Sequence, residues 1–170
     1  MLRRIWKLKS GLRANCSLQH KKVIEDINSE LGKIENLLTR YEPLLLKIKS
    51  QEPDFIEINA LAMLLHSFYN GLENIFKRIA GKIDGQMPSG ERSHVELLEQ
   101  MAHPSNHRKD KLLSDETYKD LKKYLGFRHF SRHAYSFDLN WDLMKDLILR
   151  IDEIIKRSLT EIRTFIEKLD

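Results

Sequence analysis

Apolar residues fall at steps of three and four through most of the chain, the spacing that gives a helix one buried stripe. Val23, Ile27, Leu31, Ile34, Leu38, Tyr41, Leu45 and Ile48 form the first stripe. Pro43 lies inside it, where the missing N–H and the ring predict a kink or a division. Gln51-Glu52-Pro53-Asp54 interrupts the pattern, with Pro53 suited to the first turn of the next helix. The stripe resumes from Phe55 to about Ile83 as Ile58, Leu61, Ala62, Leu65, Phe68, Tyr69, Leu72, Phe76 and Ile79. Asp84-Gly85 and Pro88-Ser89-Gly90 then mark a loop.

A short helix is predicted from Ser93 to Met101, with Ser93 as its cap and Glu96 completing a capping box. His103-Pro104-Ser105-Asn106 ends it. Ser114, followed by Asp115 and Glu116, opens another helix, with its acids where the dipole favours them. Leu121, Tyr124 and Leu125 carry that helix towards a run of arginines and histidines. Asp138-Leu139-Asn140 reads as a break before one long final helix, Trp141 to about Leu169. Its buried face is expected to use Leu143, Leu147, Ile151, Ile154 or Ile155, Leu159, Ile162 and Ile166. The fold class is therefore all-α, an up-and-down bundle of four long helices plus a short one.

Composition agrees with that pattern. Seven Gly and four Pro in 170 residues leave little room for a turn-rich β fold. No run of about 18 apolar residues occurs, so no membrane span is expected and a cytoplasmic setting is. One cysteine, Cys16, excludes an intramolecular disulfide and argues against a cysteine-built zinc site. The net charge of +4 permits a polyanionic partner without demanding one. Met1 to Lys22 holds Arg3, Arg4, Lys7, Lys9, Arg13, Lys21 and Lys22 and no acid. Residues 1–17 read as a basic arm, a frayed tail or a contact to RNA or a partner, and residues 18–170 as the helical domain.

The chemistry is concentrated in Arg128-His129-Phe130-Ser131-Arg132-His133-Ala134-Tyr135. A histidine titrating near neutrality can take the proton of a ribose 2′-OH, which then attacks the adjacent phosphorus. An arginine presents a permanently charged fork to the phosphate oxygens and stabilises the charge that builds up there. Such a reaction needs no metal and no cofactor. His129 and His133 also share the spacing of half a zinc site, as His103 and His107 do, without obvious further ligands. On an ideal helix, five residues turn through about 500°, which leaves Arg128 and His133 roughly 140° apart. Convergence then requires a distortion, a long arginine reaching round, or a second copy of the segment across a dimer. By spacing alone, the segment also fits a solvated helix face.

Arg128-x4-His133-Ala134-Tyr135 matches the R-x4-H-x-Y pattern of HepT-like toxins in the HEPN superfamily, and nearly the whole chain past the arm resembles that family. His66-Ser67-Phe68-Tyr69-Asn70-Gly71-Leu72-Glu73, Ser93-His94-Val95-Glu96-Leu97-Leu98 and Leu125-Gly126-Phe127-Arg128-His129 read like its members. The resemblance implies a homodimeric bundle whose paired motifs cut RNA, with Arg128 and His133 in the catalytic roles. It also implies a partner, a minimal nucleotidyltransferase antitoxin that transfers AMP from ATP to the motif tyrosine, here Tyr135.

Other residues carry less specific expectations. Glu73, with Asn70, is placed either to orient His133 or Arg128 or to pair with Lys77 at i+4. Arg132, His129, Arg108, Lys109 and Lys111 form a candidate track for an RNA backbone, or a merely solvated set of charges. A helical binding partner of a nucleotidyltransferase, without nuclease activity of its own, is the competing reading.

Overall fold

The apolar spacing is realised as helix throughout. The computed structural model describes the backbone of residues 2–169 and the side chains of residues 20–169. Six α-helices follow in order: α1 (Leu2–Lys47), α2 (Phe55–Lys82), α3 (Ser93–Ala102), α4 (Asp115–Ser131), α5 (Trp141–Leu149) and α6 (Ile151–Glu167). A 3₁₀ turn, Ser136–Asp138, links α4 to α5, and no strand occurs among the described residues. The expected all-α bundle is therefore present. Contacts of the basic arm at residues 1–17 lie outside the described side chains.

α2 is the axis of the fold. Leu61, Leu64, Leu65, Phe68, Tyr69, Leu72, Ile75, Phe76 and Ile79 are buried, so apolar groups cover more than one side of it. It packs against α1, α3, α4 and α5, while α6 closes the bundle against α1, α4 and α5. Gly71 lets α1 approach closely: a Cβ there would lie 2.8 Å from Cγ1 of Ile34. Tyr124 fastens α4 to α5 by donating its hydroxyl hydrogen to the Leu147 carbonyl at 2.8 Å.

Helix boundaries show which local signals acted. Asp54 accepts from the Glu57 N–H while Glu57 accepts from the Asp54 N–H, a complete capping box. Pro53 thus precedes the cap rather than entering the first turn. Pro43 does not divide α1, which runs through it. Ser114 caps α4 by accepting from the Thr117 N–H at 3.2 Å. Ser93, by contrast, is not a cap. The left-handed Gly90 closes a turn onto the Ser93 N–H, so the helix begins at Ser93 with Arg92 in the capping position and no side-chain cap.

The long final helix is two helices. Arg150 adopts φ −103° and ψ 0° between α5 and α6, and its guanidinium donates to both Asp120 oxygens, at 2.9 and 3.1 Å. No Gly or Pro marks that break. Met144 and Ile148 face inwards on α5, whereas Leu143 is exposed.

Arg108 is a structural residue, not part of an RNA track. It is buried, pairs with Asp84 at 3.2 Å, and donates to the backbone carbonyls of Gln100 and Asp110. Gln100 and Ser105 complete the shell around Asp84. An isolated buried guanidinium would be very costly, so the loop wraps it in acceptors. Among the described residues, no helix is long and apolar enough to cross a membrane.

Candidate active site

Leu121, Tyr124 and Leu125 face the core from α4, and the same periodicity turns Arg128 inwards. A charged head in that position needs partners, and α2 supplies them from consecutive turns. Arg128 Nε donates to Oδ1 of Asn70 at 3.0 Å, and Nη2 lies 3.1 Å from Oε2 of Glu73. The guanidinium also stands 5.9 Å from the centre of the Tyr69 ring. Its remaining terminal nitrogen, Nη1, is buried with no hydrogen-bond partner. Burial pushes the Tyr69 hydroxyl well above its ordinary range, so it stays protonated.

Glu73 spends both oxygens on cations or rings. Oε1 pairs with Lys77 at 2.5 Å, and Oε2 meets both Arg128 and Nδ1 of His94, the latter at 3.0 Å. Of the contacts considered for Glu73 from the sequence, the i+4 pair with Lys77 and a contact to Arg128 occur together, and the described contacts of Glu73 do not include His133. Burial opposes its ionisation, but the Lys77 hydrogen bond and the charges of Arg128 and His94 hold the carboxyl below its ordinary value.

Two histidines outside the motif join this cluster. Asn70 turns its oxygen to Arg128, so its amide nitrogen faces Nε2 of His66 at 2.7 Å. That amide donates, and the histidine nitrogen accepts. Burial, then the charges of Arg128 and Arg132, lower the His66 pKa, in keeping with a neutral ring. His94 meets His129 edge to face, with ring centres 6.0 Å apart. Burial, followed by the positive charges of His94, Arg128 and Arg132, also lowers His129. His66 sits four residues before Asn70 on α2, which was the available signal. Nothing local ties His94 to Arg128.

The helical rotation between Arg128 and His133 never arises, because α4 ends at Ser131. The His133 and Ala134 N–H groups both donate to the Phe130 carbonyl, at 3.1 and 3.2 Å. His133 lies exposed on that turn, with no side-chain hydrogen bond among the described residues, as Arg132 is exposed beside it. The structure thus separates Arg128, facing α2, from His133, facing solvent. Beyond them Tyr135 and Phe137 stack nearly parallel, with centres 5.2 Å apart, and are 70% and 72% exposed. Asp138 steadies this turn by accepting from the Tyr135 N–H at 3.0 Å. Lys109 and Lys111 are exposed in the loop before α4, and Lys111 pairs with Asp115.

The segment thus holds a buried arginine bound by Asn70 and Glu73, an exposed histidine five residues on, and an exposed tyrosine two residues beyond that. A family model for HepT-like proteins matches residues 60–169. The chain belongs to the HepT-like family. The matched part of this HepT-like chain contains α2 from Ala60 onward, α3 and the whole arginine–histidine–tyrosine segment, and leaves α1 outside. No curated protein and no solved structure matches the chain.

Proposed function

We propose that this HepT-like protein is a metal-independent endoribonuclease toxin of a type VII-like HEPN/MNT toxin–antitoxin pair. The observation that carries the reading is the placement of Arg128 by Asn70 and Glu73 directly before the turn that exposes His133. His133 takes the 2′-OH proton, the 2′ oxygen attacks phosphorus, and Arg128 stabilises the charge on the phosphate oxygens. Arg128 faces α2 while His133 faces solvent, and the reading has a second copy complete the working cleft. The reading includes a homodimer that meets RNA in the cytoplasm.

The exposure of Tyr135 supports its role as the regulated position. A cognate minimal nucleotidyltransferase would use ATP to attach AMP to the Tyr135 hydroxyl. The adenylate adds a phosphodiester charge and a bulky base where an RNA phosphate must sit, and both oppose binding.

One observation favours a second reading, a non-catalytic binding partner of the nucleotidyltransferase. Glu73 already neutralises Arg128, and the pair is buried. His133→Ala and Arg128→Ala separate the two readings, with Arg128→Lys included because it retains a positive charge opposite Glu73. Loss of RNA cleavage in His133→Ala and Arg128→Ala, with helical content unchanged, supports the nuclease. Wild-type cleavage in both supports the binding partner.

A further inference from the structure

A single oxygen of Glu73 joins the motif arginine to a residue outside the motif. Oε2 lies 3.1 Å from Nη2 of Arg128 and 3.0 Å from Nδ1 of His94. A carboxylate only accepts, so Nδ1 of His94 carries the hydrogen and Nε2 is left to exchange a proton. A carboxylate behind an imidazole fixes the tautomer and ring orientation and balances the charge when the ring is protonated. The ring is not sealed, since 24% of the side chain is exposed. It meets His129, which belongs to the stretch between Arg128 and His133. Glu73 on α2 and His129 on α4 touch the ring, and Lys77 and Arg128 share the Glu73 carboxylate with it.

We propose that His94 is a second proton-transfer residue, delivering a proton from Nε2 to the departing 5′ oxygen of the cleaved RNA. This rests on the ribonuclease reading. In that step the 2′ oxygen forms a bond to phosphorus and loses its proton to His133. The bond from phosphorus to the 5′ oxygen breaks, and that oxygen takes the proton held by His94. The products are a 2′,3′-cyclic phosphate and a 5′-hydroxyl. Both rings return to their starting states by exchange with water.

The test compares one oligoribonucleotide linkage with the same linkage carrying sulfur at the bridging 5′ position. A thiolate leaves without a proton, so the sulfur substrate needs no acid. His94→Ala is expected to slow the ordinary linkage by about 10²–10⁴-fold and the sulfur linkage by about tenfold or less. His94→Gln, which can still donate to Glu73, is expected to show the same split with the fold preserved. His133→Ala should impair both linkages. Equal losses on the two linkages in both His94 variants would overturn the assignment and leave His94 as a positioning residue for Glu73 and Arg128. Unchanged cleavage of both would also overturn it. Wild-type protein that cleaves neither linkage removes the ribonuclease reading itself, and this inference with it.

Discussion

Glu73 on α2 and Arg128 on α4 form a 3.1 Å ion pair in which each side chain is at least nine-tenths buried. Removing one partner of such a pair leaves an uncompensated buried charge and costs about 3–5 kcal/mol. Glu73→Ala is therefore expected to lower unfolding free energy by about that amount, measured by denaturant titration. Replacing both partners, as Glu73→Leu with Arg128→Met, should recover most of the loss. The pair then specifies where Arg128 sits more than it stabilises the bundle.

The same cluster gives stability a characteristic dependence on pH. His66 and His129 bind protons less readily when folded than at the ordinary value of 6.5, so their contribution is complete above that value. It is lost as pH falls through 6.5 towards the folded values. Glu73 is also depressed, so its contribution is complete above 4.5 and is lost on further acidification. Unfolding free energy should hold steady just above neutrality and begin to fall near pH 6.5. In His66→Gln/His129→Gln that first decline should diminish, while the more acidic one remains.

How far the sequence reveals this arrangement depends on how local each determinant is. The α2 stripe was legible because Leu61, Leu65, Phe68, Leu72 and Phe76 repeat at helical spacing, and all are buried. The Ser114 cap was legible because its partner is three residues away. The break at Arg150 was not, because Asp120 holds that side chain from a different helix. Asn70 and Glu73 were recognisable as polar positions on α2, but only tertiary packing showed that both reach Arg128. Arg108 looked like one more surface cation because Asp84, its partner, lies across a loop. His94 went unassigned for the same reason.

The cations near the site should accordingly separate in solution. Arg108→Ala removes a pair whose side chains are 2% and 0% exposed, and is expected to cost about 3–5 kcal/mol of stability. Exposed Arg132 should do the opposite. Arg132→Ala should leave stability nearly unchanged and reduce the salt dependence of RNA binding by about one phosphate contact. Denaturant titration and binding measured over a range of salt concentrations distinguish the two.

The regulatory role proposed for Tyr135 has a direct chemical readout. Incubation with the cognate nucleotidyltransferase and ATP should add adenylate mass to the wild-type chain and none to Tyr135→Phe. The modified protein should bind RNA more weakly. Adenylate retained in Tyr135→Phe would place the modification elsewhere.

End-group analysis of cleaved RNA tests the proposed metal-free cleavage by Arg128 and His133. Purified wild-type protein, treated with EDTA, is incubated with RNA beside His133→Ala. The wild type should leave 2′,3′-cyclic phosphate ends, and the variant should leave the RNA intact. Cleavage abolished by EDTA, or equal cleavage by His133→Ala, would contradict it.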